Sequence, residues 1–395
     1  MDASGAVRAD RLGADEIVTG VLYGTEPWAL DVDGGGRGPR AALEAVLLPA
    51  LLRAPCMVAF SGGRDSCALL AVAVGLARRE GIAEPIPVTL EFSDPATIET
   101  SWQERALGHL GVEDWVRVRL SDELDLVGPV AVSGLRRHGV LYPANAHLVV
   151  PMARAARGGS LLTGLGGDDV FGSWPWHDVA GLMAGRRGPR AADVRRGLHF
   201  AAPVWLRAEI RRRRDVVCSL PWLRRPFRDQ ASLRLARELS GVPRTWAARM
   251  AFTACWRTWR ASQRSIAVLA ADHDAVASSP FLDPGFLLAL GRAGGRWGWG
   301  GRTATMRALF GDLLPEPLIA RPGKAEFSGA FFGPETRRFA RDWDGEAGSA
   351  TELIEPGVLR SIWGSAQPNF LCSSLLQAAW MASRGGEQRS SQGGP

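Results

Sequence analysis

The stretch SGGRDS at residues 61–66 is the part of the sequence best suited to chemistry. It follows a short apolar run, CMVAF at residues 56–60, and precedes an apolar segment of helical composition. The two glycines let backbone N–H groups approach an anion closely, and a helix N-terminus favours negative charge. We predict a phosphate-binding loop, distinct from a Walker loop because the GxxxxGK[ST] pattern is missing. The residues assigned to nucleotide binding here are Ser61, Gly62, Gly63, Asp65 and Ser66.

Asp65 is the unusual residue of this loop, because a carboxylate repels a phosphate unless a cation lies between them. Mg²⁺ takes oxygen ligands from carboxylates and phosphates together, so Asp65 is a candidate magnesium ligand. The alternative is a structural role as a cap of the following helix.

A second glycine-rich turn, GLGGDD at residues 164–169, also follows an apolar run. Gly166 and Gly167 are candidate nucleotide-binding residues, and Asp168 is a candidate metal ligand. Because ligands bind at the carboxyl ends of parallel strands, the two turns can face one magnesium–pyrophosphate group from two sides. The alternative is an ordinary turn with solvated acids.

Lys324 is the single lysine among 47 basic residues. A basic residue needed only for solubility can be of either type, whereas an ammonium is a compact, rotatable charge that a planar guanidinium does not replace. Lys324 is therefore a candidate functional cation, with chance retention as the alternative.

The basic residues of the chain are unevenly distributed. Residues 186–228 hold thirteen arginines against three acids, within a chain of net charge +6. Such a stretch suits nucleic acid, a phosphorylated ligand or an acidic peptide, or is simply a solvated surface. No zinc-finger, KH or RRM pattern accompanies it, so nucleic acid is not the expected partner.

The overall composition is typical of a globular protein without a membrane anchor. The 395 residues are 46% apolar, and no apolar run approaches the roughly 20 residues of a membrane span. The five cysteines lack zinc-like spacing, which predicts reduced, mostly buried thiols and a cytoplasmic location.

Alternating strand and helix patterns predict an α/β fold with a parallel sheet flanked by helices. The predicted strands are 56–60, 87–92, 115–120 and 160–164, and the predicted helices between them are 66–80, 97–111 and 144–157. Residues 1–50 are interpreted as a short N-terminal arm, loosely organised up to residue 40, and 51–384 as the main domain. We divide that domain into a nucleotide-binding core at about 55–180 and a largely helical part at about 181–384, followed by a disordered tail at 385–395.

Four motifs in order resemble the synthetase domain of the asparagine synthetase family. They are SGGRDS, GLGGDDVFG, PFLDP at residues 280–284 and LLPEPLIARPGKAEF at residues 313–327. The pattern around Lys324 and the ending NFLCSSLLQAAWMAS are most similar to the members that close macrolactam rings in lasso peptides.

The resemblance implies an ATP- and Mg²⁺-dependent ligase. A carboxylate is converted to an acyl-adenylate with release of pyrophosphate, and an amine then displaces AMP. The two glycine-rich turns then bind pyrophosphate, with Asp65 and Asp168 as metal ligands. Asp168 and Lys324 are the implied catalytic residues, with Lys324 stabilising developing negative charge.

Two departures from the family pattern concern the nitrogen donor. The second residue is Asp2 and the first cysteine is Cys56, so a glutaminase domain is not expected. Leu165 stands where asparagine synthetases carry an acid and β-lactam synthetases a tyrosine, and leucine cannot transfer a proton. An α-amine with a pKa of about 8 needs little help with deprotonation, which favours it as the nucleophile.

We therefore expect a peptide macrolactam synthetase acting on a peptide with a free amine and a carboxylate, with a leader peptidase or peptide-recognition protein as a possible partner. The alternatives are an ammonia-dependent or small-molecule amidoligase, including a β-lactam-synthetase-like enzyme, and a tRNA-modifying or nucleic-acid-binding protein with the same nucleotide loop. A third alternative is a binding protein without catalysis, against which Asp65, Asp168 and Lys324 count.

Overall fold

A five-stranded, all-parallel sheet lies at the centre of the molecule. The computed structural model describes residues 8–26, 36–92, 99–172, 174–321, 323 and 328–392. The strands are β1 (Cys56–Ala59), β2 (Ile86–Glu91), β3 (Val116–Arg119), β4 (Ser160–Leu162) and β5 (Val276–Ser278), and their order in the sheet is β3-β2-β1-β4-β5.

Helices cover both faces of this sheet and form most of the remaining chain. The first six are α1 (Ala14–Thr19), α2 (Pro39–Leu51), α3 (Arg64–Glu80), α4 (Thr100–Leu110), α5 (Pro129–His138) and α6 (Val150–Ala155). The next six are α7 (His177–Met183), α8 (Ala192–Ala201), α9 (Val204–Arg214), α10 (Phe227–Ser240), α11 (Trp246–Cys255) and α12 (Arg257–Ala271). The last six are α13 (Pro284–Gly294), α14 (Arg302–Phe310), α15 (Glu316–Ile319), α16 (Pro334–Asp342), α17 (Pro356–Trp363) and α18 (Ser373–Gln392).

The predicted α/β fold is confirmed, and so are the four predicted strands, each within a few residues of its observed bounds. Of the predicted helices, 66–80 is α3 and 97–111 is α4, although residues 97 and 98 lie outside the described residues. The predicted helix 144–157 consists of a 3₁₀ turn, Ala146–Val149, followed by α6. Strand β5 was not predicted, because it has three residues and lies in a region of helical composition.

The register of the sheet brings the two glycine-rich turns together. Strand β1 pairs with β4 in parallel, with Met57 opposite Leu161 and Val58 opposite Leu162. Since both strands run in the same direction and are neighbours, the segments that follow them emerge side by side at one edge of the sheet.

Helix α3 fixes the position of the first turn. Its cysteine, alanine, leucine and valine side chains are buried almost continuously from Cys67 to Ala77, as expected for a helix packed against a sheet. It begins after Gly63 and ends at Gly81, which has a left-handed backbone (φ 65°).

The N-terminal segment is packed rather than loosely organised, so that part of the prediction is wrong for residues 8–26. Val18 and Leu22 are fully buried, and the buried Trp222 donates its indole N–H to the Val18 carbonyl oxygen at 2.7 Å. Glu16 forms an ion pair with Arg257. These apolar and charged residues attach the segment to the helical part of the molecule.

The apolar core crosses the proposed boundary near residue 180. One cluster joins Val58 and Leu69, from the sheet side, to Phe286 and Leu318, from the later helices.

The last helix extends to Gln392, into the segment predicted as a disordered tail, and 393–395 lie outside the described residues. Within the described residues, no helix is long and apolar enough to cross a membrane.

Candidate active site

The first glycine-rich turn is closed by its own hydroxyls. The Ser66 hydroxyl donates to the Gly63 carbonyl oxygen at 3.0 Å, and the hydroxyl oxygens of Ser61 and Ser66 lie 3.2 Å apart. Gly62 has a left-handed backbone (φ 74°), and a Cβ at that position would lie 2.7 Å from Gln103 Cγ. A side chain at Gly62 is therefore excluded both by conformation and by space.

The second turn packs directly on the first. A Cβ placed on Gly167 would lie 2.5 Å from the carboxyl carbon of Asp65. Gly166 has a left-handed backbone (φ 83°), and a Cβ there would lie 2.4 Å from Leu282 Cδ2. The glycines of the second turn thus allow the backbone to approach the Asp65 carboxylate and the PFLDP segment.

The PFLDP motif has a structural role in this arrangement. Leu282 fills the space beside Gly166, and the Asp283 carboxylate accepts a hydrogen bond from the Phe286 N–H at 3.0 Å, which caps α13. The Ser279 and Thr163 hydroxyl oxygens lie 2.8 Å apart and join the ends of β4 and β5. This motif therefore packs against the second turn and supports its position.

Asp65 and Asp168 converge on one guanidinium. Arg302 donates to an Asp65 carboxylate oxygen at 2.8 Å and to an Asp168 carboxylate oxygen at 2.6 Å. The Asp65 side chain is 13% exposed and the Asp168 side chain 50% exposed, so the pair lies at the mouth of the site and not beneath it. The structure therefore brings together the two carboxylates that the sequence assigned to one metal.

Arg302 reaches this position from the first residue of α14, next to Gly301. Burial lowers the pKa of Arg302, but Asp65 and Asp168 outweigh that effect, so the net shift is upward. The guanidinium is thus a fixed positive charge between the two carboxylates. Sequence reasoning missed it, because one arginine among 46 carries no local signal.

A second arginine network ties the first turn to the RPGKAEF segment. Arg321 is buried, donates to the Gly62 carbonyl oxygen at 2.6 Å and forms an ion pair with Glu99. Arg64 in turn donates its Nε–H to the Arg321 carbonyl oxygen at 2.8 Å and its Nη1–H to the Thr303 hydroxyl at 3.1 Å. The backbone three residues before Lys324 is therefore attached to the phosphate-binding turn.

Lys324 itself lies outside the described residues. Its predicted role stays a prediction, since only its neighbour Arg321 is placed beside the first turn.

Leu165 and the two tyrosines offer no ready proton acceptor. Leu165 is half-buried and packs against the apolar core. Burial raises the pKa of Tyr142 to about 12, so its phenol is protonated near neutral pH. Tyr23 belongs to another apolar cluster, with Val18 and Trp222, and burial raises its pKa as well.

A cavity of about 550 Å³ opens beside the two carboxylates. Its wall includes Asp168, Trp174, His177, Gly301 and Arg302. The cavity combines a carboxylate, a guanidinium and an imidazole with an indole, which suits a polar ligand that also carries an organic ring or chain.

Comparison with known protein families agrees with the geometry. The family model for asparagine synthase matches residues 43–383, which is most of the chain. This chain belongs to the asparagine synthase family. Membership supports an ATP-dependent, amide-forming ligase, and it confirms the family resemblance of the sequence motifs. A search of curated proteins gave no match.

The matched residues include both glycine-rich turns, the one that follows β1 and the one that follows β4. None of the five cysteines forms a disulfide, and four of them are buried. Burial raises the pKa of Cys67, the residue after Ser66, to about 12, so its thiol is not an activated nucleophile.

Proposed function

We propose that this asparagine synthase family member is an AMP-forming peptide ligase that closes a macrolactam ring. A carboxylate oxygen of the peptide attacks the α-phosphorus of ATP, and pyrophosphate leaves. The peptide amine then attacks the acyl carbon, loses a proton and displaces AMP. The convergence of Asp65 and Asp168 on one cation, at the edge of the sheet where β1 and β4 end, carries this proposal.

The donor set at this edge fits magnesium. Two carboxylates from different turns offer hard oxygen ligands, and Mg²⁺ is usually held by one or two carboxylates together with substrate phosphates. Within the described residues, no group of three or more His, Cys, Asp or Glu side chains is arranged to hold a metal by itself. When bound, the ion would neutralise negative charge on the departing pyrophosphate.

The residues of the chain supply the remaining functions. The turn around Gly62 and Gly63 binds phosphate oxygens next to the N-terminus of α3. Arg302, held between the two carboxylates, places a cation at the edge of the sheet where pyrophosphate would depart. Lys324 follows a segment attached to the same turn and is proposed to stabilise charge as the acyl carbon reacts.

Two observations favour a peptide α-amine over ammonia as the nucleophile. Leu165 occupies the position of a family acid or tyrosine, and burial raises the pKa of Tyr142 to about 12, which makes its phenol an even poorer source of a base than an ordinary tyrosine. An α-amine with a pKa of about 8 is partly neutral without a strong enzymic base, whereas ammonium, with a higher pKa, depends more on one.

The test is incubation of the full chain with ATP, Mg²⁺ and candidate precursor peptides, followed by chromatography and mass spectrometry. We expect AMP and pyrophosphate in equal amounts, and a product lighter than the peptide by one water. Adding ¹⁵N-ammonium separates the alternatives. Label in a new primary amide would replace ring closure with an ammonia-dependent amidoligase, and stoichiometric ADP would rule out the adenylation step.

A further inference from the structure

A surface outside the site just described carries most of the large apolar side chains that are exposed among the described residues. Nine of the twelve large apolar side chains that are exposed among the described residues lie between residues 183 and 217. They include Leu198 at 69% exposed and Trp205 at 66% exposed. Exposed apolar surface concentrated in one segment marks a binding surface more often than a solvated face.

Part of this surface forms a groove between α7, α8 and α9, which we call the α8–α9 groove. It encloses about 470 Å³, and its apolar wall includes Trp176, Val179, Leu198, Leu206 and Ile210. Trp176 is buried at the base, and the guanidinium of Arg207 lies 4.8 Å from its ring. The buried indole therefore gives the groove an apolar floor, which suits the side chains of a bound ligand.

The charged residues of the α8–α9 groove give it a positive rim. Arg195, Arg196 and Arg214 line it, against a single carboxylate, Asp178. Arg196 already pairs with Asp178 at 3.0 Å. Among the described residues, neither Arg195 nor Arg214 forms an ion pair with a carboxylate. Two positive charges are thus available to a bound acidic group.

The acids of this region are otherwise occupied. Asp193 accepts from both Arg187 and Arg196, and Glu209 accepts from Arg212 and Arg213. The arginine excess of residues 186–228 is therefore divided between internal ion pairs and the rim of the groove.

The α8–α9 groove adjoins the active-site cavity. Pro175 and Asp178 line both, so a chain lying in the groove would pass beside the wall that carries Asp168 and Arg302. An apolar groove next to the site favours an extended substrate over a small molecule. An extended peptide needs to be held along its length before its ends can react, since ring closure costs conformational entropy.

We propose that the α8–α9 groove binds an acidic, apolar segment of the peptide substrate, away from the reacting amine and carboxylate. This rests on the proposed peptide ligase function. Apolar side chains of the segment contact Leu198, Leu206 and Ile210, and its carboxylates pair with Arg195 and Arg214. Binding here holds the chain beside the cavity while its ends meet at the carboxyl edge of the sheet.

The direct test measures binding without ATP, so that it does not depend on catalysis. The probe is a short fluorescein-labelled peptide of Glu, Leu and Gly, titrated with the full chain by anisotropy. Matched peptides replace Glu by Gln or Leu by Ser, and a single-stranded oligonucleotide of similar length serves as a polyanion. We expect the Glu–Leu peptide to bind best, with affinity that falls as salt rises.

Substitutions locate the binding. The double variant Arg195→Ala/Arg214→Ala should weaken the Glu–Leu peptide by about five- to tenfold, the effect of losing two partly exposed ion pairs. Leu198→Ser/Leu206→Ser should weaken it as well. The matched control Arg190→Ala/Arg213→Ala removes the same charge from the same region without touching the groove lining, and it should bind as the unaltered chain does.

The outcomes separate this inference from the proposed function. Peptide binding that is absent, or equally strong in the groove variants, overturns the inference. Tighter binding of the oligonucleotide with the same dependence on Arg195 and Arg214 overturns it in favour of nucleic acid. If rings close with an unchanged KM in the groove variants, the inference falls while the ligase stands. If no ring closes but the groove variants lose peptide binding, the groove binds acidic peptides while the proposed ring closure, and with it the assignment of that peptide as the substrate, falls.

Discussion

At the scale of single residues, the site consists of two carboxylates and one guanidinium, and a bound ligand must contact these charges. Asp65 and Asp168 come from different turns, and Arg302 holds both within 2.8 Å. A metal ion bound by these two carboxylates would have to share them with Arg302. The two carboxylates are therefore the first residues to substitute when the site is tested.

Asp65→Asn and Asp168→Asn should each reduce turnover by about 10²–10³ or more, the usual effect of losing one group that stabilises transition-state charge. The amide keeps the size of the side chain but removes the charge that a metal requires. AMP release measured across a range of Mg²⁺ concentrations checks this. Asp312→Asn is the matched control, because Asp312 is a carboxylate that also pairs with an arginine, Arg40, but lines neither the cavity nor the groove. Either variant keeping more than a tenth of the activity would remove that residue from the site.

Lys324→Arg should be nearly as damaging as Lys324→Ala. A guanidinium is larger, planar and differently hydrated, so it does not place its charge where the ammonium does. The check compares both variants at saturating ATP, with Arg292→Lys as a conservative exchange outside the site. Full activity of the arginine variant would indicate that this single lysine was retained by chance and has no functional role.

At the scale of elements, the site depends on how closely two turns pack. Gly167 lies against the Asp65 carboxyl group, and a Cβ there would come within 2.5 Å of its carbon. Real Cβ atoms do not approach that closely, so one of the turns must move. The backbone of the second turn thus sets the separation of the two carboxylates.

Gly167→Ala should therefore reduce activity strongly while the chain remains folded. A shift of about 1 Å at catalytic groups can cost about 10² in rate. The matched control is Gly75→Ala on α3, where no atom lies within 4 Å and the alanine should slightly stabilise the helix. Turnover and thermal unfolding are measured for both. Unchanged turnover in Gly167→Ala would show that the turns do not need this contact.

The two turns could be predicted because their signals are local. A strand, a glycine pair and a helix follow one another within the residues around Gly62, and again around Gly166. Arg302 and Arg321 could not be found this way, since each acts across more than 130 positions of sequence and looks like any other arginine. The packing of residues 8–26 was missed for the same reason: Val18 and Trp222 meet only in the fold.

At the scale of the whole molecule, one buried histidine links stability to pH. His147 is buried, and its Nε2–H donates to the Leu124 carbonyl oxygen at 2.8 Å. Burial lowers its pKa, and this effect outweighs the opposing hydrogen bonds and the nearby Asp125. The folded protein therefore favours the neutral imidazole.

The free energy of unfolding should accordingly fall as pH falls below about 6.5, the ordinary pKa of histidine. The sign follows from proton uptake: below that pH the unfolded chain binds a proton at His147 that the folded chain resists, so acid favours unfolding. Denaturant unfolding at several pH values between neutral and mildly acidic measures the slope. His147→Gln keeps a donor for the Leu124 carbonyl without titrating, and its slope should be shallower than that of the unaltered chain. Equal slopes in His147→Gln and the unaltered chain would assign the acid sensitivity to other groups, such as His199 and His273, whose pKa burial also lowers.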